Sequence, residues 1–231
     1  MQKYARIAGI LFLLSIIGGG LGEFYIPSKL IVSGNATATA NNIRQFDFLF
    51  RLGFATYLIE GICDVALSWI MYVLLRPVHK NLALLAAFFG LVSTAVFAVA
   101  ELFYFAPLFI LNGVGLQTFS PGQLDSLALL SLRFYGYGGM LFVVFYGIAT
   151  AIRGYLIFRS GYLPKFIGIL LGIGGAGFIL KSFTLALAPT YSSGVLLLPM
   201  SLGGVTLLVW LLVKGIDVSK LEARVGTAVS P

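Results

Sequence analysis

Of the 231 residues, 59% are apolar and only 10% are charged, and the mean hydropathy is +1.01. A water-soluble domain carries roughly 25% charged residues to solvate its surface, so this composition excludes one. The net charge of +7 comes from basic residues at the ends of apolar runs, not from a patch or a stripe. That placement points to membrane orientation and away from nucleic acid.

The apolar residues gather in runs long enough to cross a hydrocarbon core, which takes about 20 helical residues. The first runs from Arg6 to Ile26 and ends at Pro27. Lys3 and Arg6 before Ile7 to Ile17 resemble a signal peptide, but no A-x-A-like cleavage site follows, only Gly18-Gly19-Gly20-Leu21-Gly22, so the segment reads as an uncleaved span. Ser33 to Asn42 is polar, cannot span lipid and reads as a loop. The second segment, Phe46 to Leu75, stops at Arg76-Pro77. The short turn Val78-His79-Lys80-Asn81 sets the third helix, Leu82 to Leu111, antiparallel to it, with Pro107 kinking or fraying the last turn.

A Gly-, Gln- and Ser-rich loop from Asn112 to Asp125 leads into the fourth segment, Ser126 to Phe158. The fifth is Phe166 to Leu187 and the sixth Val195 to Val213. Residues 1–215 therefore read as one all-α, polytopic membrane helix bundle of about six spans, and residues 216–231 as a short, weakly ordered cytoplasmic tail. The pairs Gly18/Gly22 and Gly168/Gly172 are spaced to let helix backbones approach closely.

With the N-terminus inside, the inner segments hold Lys3, Arg6, Arg76, Lys80, Arg153, Arg159, Lys165, Lys214, Lys220 and Arg224. The outer loops hold only Lys29 and Arg44. Ten cations against two place both termini in the cytoplasm.

Six ionisable residues fall at membrane depth, where each is costly unless paired or solvated: Arg51, Glu60, Asp64, Glu101, Arg133 and Lys181. At about 1.5 Å per residue from the inner helix ends, Asp64 lies roughly 17 Å in, Glu60 roughly 23 Å and Lys181 roughly 24 Å. Glu101 and Arg133 both lie roughly 30 Å in. Matched depth predicts the pairs Glu60–Lys181 and Glu101–Arg133, and leaves Asp64 alone near the midplane. Arg51 has Asp47 one turn before it. Thr56 and Tyr57 sit a turn from Glu60, and Tyr104 three residues after Glu101. Together with Glu60, Asp64, Glu101, Arg133 and Lys181 they define a polar pocket opening outward, suited to a small solute or a lipid. The alternative is that the charges are only ion pairs holding helices in register.

Nothing points to a cofactor or a metal. Cys63 is alone, His79 is the single histidine and falls in a turn, and no metalloprotease, nucleophile-elbow or phosphate-loop motif occurs. The residues lean away from an enzyme.

Several ordered stretches carry a resemblance: Ala5-Arg6-Ile7-Ala8-Gly9; Met71-Tyr72-Val73-Leu74-Leu75-Arg76-Pro77-Val78 with Leu82-Ala83-Leu84-Leu85; Gly154 through Pro164; and Trp210-Leu211-Leu212-Val213-Lys214-Gly215. Together the chain is similar to bacterial membrane proteins catalogued as domain of unknown function 4386. The resemblance implies a multi-helix protein of the bacterial cytoplasmic membrane without an established activity, with Asp64 at an acidic position of the second helix. The chain departs from the pattern at Gly90, where members often carry a basic residue, and at Gly203-Gly204, where they often carry an acidic one.

Overall fold

The computed structural model describes residues 1–113 and 115–227. All regular structure among them is helical: α1 Gln2–Leu30, α2 Ala36–Gln45, α3 Asp47–Leu75, α4 Lys80–Leu111, α5 Pro121–Ser160, α6 Lys165–Leu187, α7 Gly194–Val213 and α8 Val218–Thr227. Six of these, all but α2 and α8, are long and apolar enough to cross a membrane. Their outer faces are apolar as well. Ile62 is 72% exposed, Leu102 64% and Val213 64%, a surface that lipid solvates and water would not.

At 40 residues, α5 is about 60 Å long, twice the hydrocarbon thickness. It starts five residues before the expected span, and Asp125 in this extension accepts an ion pair from Arg44 of α2 at 2.8 Å. The polar stretch expected to be a loop is partly α2. Asn35 caps it by accepting from the Ala38 amide, the Thr39 hydroxyl donates to the Asn35 carbonyl, and Ala40 and Ile43 are buried. A side-chain cap and one apolar face outweigh an otherwise polar composition.

The chain forms two compact units. One comprises Met1–Leu13, Cys63–Thr94 and Met140 onward; the other comprises Leu14–Ile62 and Ala95–Gly139.

In the first unit, Ala8, Leu74, Leu156, Ile157, Ile167 and Leu211 form the centre of an apolar core. Here α5 and α6 touch backbone to backbone. A β-carbon on Gly168 would lie 2.6 Å from both the Gly154 carbonyl oxygen and the Phe158 amide nitrogen, and one on Gly175 would lie 2.5 Å from the Gly147 carbonyl oxygen. Of the expected pair, Gly168 is the contact glycine. Gly172 presents its backbone to Gly154 but has open space where its own side chain would go.

The helix ends of this unit are closed by side chains. Arg224 of α8 donates to the carbonyls of Arg159 and Ser160, the Tyr162 hydroxyl to that of Leu74, Arg6 to that of Leu212, and Gln2 to that of Lys214. The expected weakly ordered tail is therefore a helix as far as Thr227, anchored by buried Ile216 and Leu221. Residues 228–231 lie outside the described residues. Asp217 caps α8. The Ser219 hydroxyl at 2.6 Å, and then the Lys220 amide, hold its carboxyl below the usual carboxylate range.

In the second unit two prolines shape the helices. Pro27 does not end α1; the helix passes through it by way of a π-helical turn, Gly20–Tyr25, in which the Ile26 amide donates to Leu21. The next bond in that series would run from residue 27 to the Gly22 carbonyl, but proline has no N–H. The Tyr57 hydroxyl donates to Gly22 instead, at 2.6 Å. Pro107 likewise leaves the Phe103 carbonyl without its donor, and the Ser131 hydroxyl takes that place at 2.7 Å. Pro107 was expected to kink or fray the last turn; the helical assignment is interrupted at Ala106, which keeps helical dihedrals, φ -53° and ψ -36°. The pair Gly18/Gly22 faces α3: a β-carbon on Gly18 would lie 3.0 Å from the Thr56 carbonyl oxygen, and one on Gly22 would lie 2.7 Å from the Thr56 hydroxyl.

The α5–α6 contact gives a direct test. Gly168→Leu should lower thermal stability by about 1–3 kcal/mol or more, because backbone on the facing helix has nowhere to go. Gly172→Ala, with no atom in its way, should be neutral or slightly stabilising in the same detergent melting assay.

Candidate functional site

Polar side chains at membrane depth gather in two places, one in each unit. In the second unit Glu101 of α4 is 4% exposed, and neither of its carboxylate oxygens has a hydrogen-bond partner among the described residues. Around it stand three tyrosines. The rings of Tyr57, Tyr104 and Tyr135 lie 5.2–5.9 Å apart, Phe97 packs edge-on against Tyr57, and the charge of Glu101 acts on all three phenols. The carboxylates of Glu23 and Glu60 also act electrostatically on Glu101.

Glu60 is buried against α1, where a β-carbon on Gly19 would lie 3.1 Å from its Oε1. Thr56, also buried, turns its hydroxyl back onto the Gly53 carbonyl at 2.6 Å. Of the residues expected in one pocket, Thr56, Tyr57, Glu60, Glu101 and Tyr104 thus belong to this unit, with Tyr135 added. Tyr135 belongs because it follows Ser131 by one turn on the inward face of α5.

The expected Glu101–Arg133 ion pair does not form, and the residues of the other expected pair, Glu60 and Lys181, belong to different units. Arg133 is exposed, two residues from buried Ser131 and so on the far side of α5. Its depth matches Glu101 but its direction does not. Lys181 is half-buried and belongs to the first unit; it makes no ion pair among the described residues. The Arg51–Asp47 pair does form, at 2.6 Å.

In the first unit Asp64, expected to stand alone, lines a small cavity with Leu67, Ser68, Gly90, Thr94, Tyr146 and Arg153. The Arg153 guanidinium donates to the Ser68 hydroxyl at 3.1 Å and lies in the field of Asp64. Sequence reasoning placed Arg153 among the cytoplasmic loop cations because it sits only seven residues before the end of α5. Its side chain is long enough to reach from there to the level of Ser68, which a count of residues along the axis leaves out. Gly90 makes the room: a β-carbon there would lie 2.6 Å from the Arg153 Nη2 and 2.5 Å from the Ser68 Oγ. This chain has a glycine here, and a cation from another helix, Arg153, occupies the space.

The polar cavity, about 20 Å³, has room for roughly one water molecule. A second cavity of about 40 Å³ shares Leu67, Tyr146 and Arg153 with it and is otherwise walled by Phe12, Met71, Thr150, Leu171, Met200, Leu207 and Leu211. Among the described residues no three of His, Cys, Asp and Glu are arranged to hold a metal ion.

Charge coupling across the polar cavity is measurable. Asp64→Asn and Arg153→Gln should each lower the melting temperature, and the double variant should lose less than the sum, with a coupling energy of about 1–3 kcal/mol. Additive losses would show that the two charges do not depend on each other.

No solved structure matches the chain. It is 29% identical over 179 residues to an uncharacterised protein of Archaeoglobus fulgidus, an overlap of 75% of this chain and 93% of that one. A family model matches residues 7–215, from the first span to the end of the sixth. The chain is a member of that family, described as domain of unknown function (DUF4386).

Proposed function

We propose that this multi-pass protein binds a small amphiphile with an acidic head, a solute or a lipid, in the first unit, and that it presents or moves this ligand across a cytoplasmic membrane without catalysing a reaction. The observation that supports this reading is the shared wall between a charged cavity and an apolar one. An acidic head would meet Arg153, Ser68 and Thr94, with Asp64 on the same wall, and an apolar tail would meet Phe12, Met71, Leu171, Met200 and Leu207. A site of this kind, mostly apolar with a few converging polar groups, is the usual form of a ligand pocket. Both cavities are smaller than such a ligand, so binding requires the shared Leu67 and Tyr146 side chains to move aside. Against catalysis stands the sequence, whose single histidine is at the turn before α4, with its Nδ1 accepting from the Leu82 amide.

A second reading rests on the Arg153–Ser68 hydrogen bond: the charges hold α3 and α5 in register and the cavity binds nothing. Native mass spectrometry separates the two. The wild type should retain dodecyl phosphate in preference to dodecyl trimethylammonium, and Arg153→Gln should weaken that retention by about tenfold or more, a loss of roughly 1.4 kcal/mol. Equal retention by the variant, or none by the wild type, favours the structural reading.

The orientation supports a cytoplasmic-membrane setting. Without Arg153, nine of the cations assigned to the inner ends remain against Lys29 and Arg44 outside. A reporter fused after Pro231 should be active in the cytoplasm, and one inserted between Gly34 and Asn35 should be exported; the reverse pattern overturns the assignment.

A further inference from the structure

The second unit contains a buried acid that the ligand reading leaves unused. We infer that Glu101 is a proton-binding site.

The three phenols are committed elsewhere. Tyr57 gives its one phenolic proton to the Gly22 carbonyl, so in its 2.6 Å contact with Tyr135 it accepts, and Tyr135 is the donor. Tyr104 gives its proton to the Phe50 carbonyl. Three hydroxyls therefore surround Glu101 and none has a proton left for it.

Protein cations are committed as well. Arg44 holds Asp125, Arg51 holds Asp47, Lys29 lies over the ring of Tyr25, and Arg133 is exposed on the far side of α5. Glu23 and Glu60 add negative charge to the same place. An ionised carboxylate buried without a partner costs several kcal/mol even after the surroundings relax. Its counter-charge must come from outside the chain. Glu23, Glu60 and Glu101 are not arranged to hold a metal ion, and the packed tyrosine rings leave a proton as the cation that needs no room.

Two more carboxylates act on Glu101, from α1 and α3. Glu23 is half-buried and lies in the π-helical turn, and such turns recur at functional positions. Glu60 is buried against the backbone of the same helix. Binding a proton forms one carboxyl O–H bond at Glu101 and removes its charge; release breaks that bond and restores the charge. The groups that set this exchange are Glu23 on α1, Tyr57 and Glu60 on α3, Tyr104 on α4 and Tyr135 on α5.

Infrared spectroscopy of the full-length protein in liposomes tests the assignment. The wild type should show a carboxylic-acid C=O band that shifts on transfer from H2O to D2O and fades as pH is raised. Glu101→Gln should abolish the band, and Glu101→Asp, which keeps the acid should the glutamine variant fail to fold, should move its frequency. A band that survives in Glu101→Gln, that never exchanges in D2O, or that is absent at every pH overturns the inference. Loss of the band on adding sodium at constant pH overturns it too, because the site would then take a metal cation.

Discussion

Inside a bilayer a backbone carbonyl deprived of its N–H has no water to turn to, and each such group left unsatisfied costs several kcal/mol. Much of the side-chain chemistry of this protein follows from that constraint. Two prolines and several helix ends create carbonyls without donors, and hydroxyl, amide and guanidinium groups from other helices supply them. Tyr57 reaches Gly22, Ser131 reaches Phe103, Tyr162 reaches Leu74, and Arg224 closes the end of α5. These bonds fix helix rotation as well as position, because each requires one side chain to face one atom.

The acidic cluster of the second unit is a by-product of the same requirement. Pro27 orphans the Gly22 carbonyl, which draws the Tyr57 hydroxyl; Tyr57 then draws that of Tyr135. Once these protons are spent, Glu101 is left among acceptors. The first unit solves a different problem, since its partly buried cation and anion share one cavity and Ser68 helps to orient the guanidinium. Buried charge in one protein is thus handled by local pairing in one unit and by withholding partners in the other.

The spans were legible in the sequence because hydrophobic run length is a one-dimensional signal, and all six expected runs correspond to helices. The Arg51–Asp47 pair was also legible, being a local rule. What could not be read was direction around the helix axis. Glu101 and Arg133 match in depth, yet α5 points Arg133 outward and Ser131 inward. Arg153 was misplaced for the converse reason, since a long flexible side chain carries its charge away from its own Cα. The helix at Ala36–Gln45 was hidden by polar composition, although Asn35 is a capping residue in plain view. Membership of the pocket split for the same geometric reason, with Asp64 and Glu60 one turn apart in sequence and in different units.

The bonds from Gln2 and Arg6 to the carbonyls of Lys214 and Leu212 tie the first turns of α1 to the end of α7, more than 200 residues away. Such contacts cannot form during synthesis until the sixth span has left the ribosome. Until then α1 waits in the lipid with an unsatisfied arginine near its start, and α7 arrives with its last carbonyls open. Neighbouring spans such as α5 and α6 can dock as soon as both are inserted, because their glycine faces are local in the chain. Biogenesis therefore ends with a closure step between the earliest and latest spans, and a ribosome stalled before residue 212 would hold a protein whose core still lacks the side chains of α7.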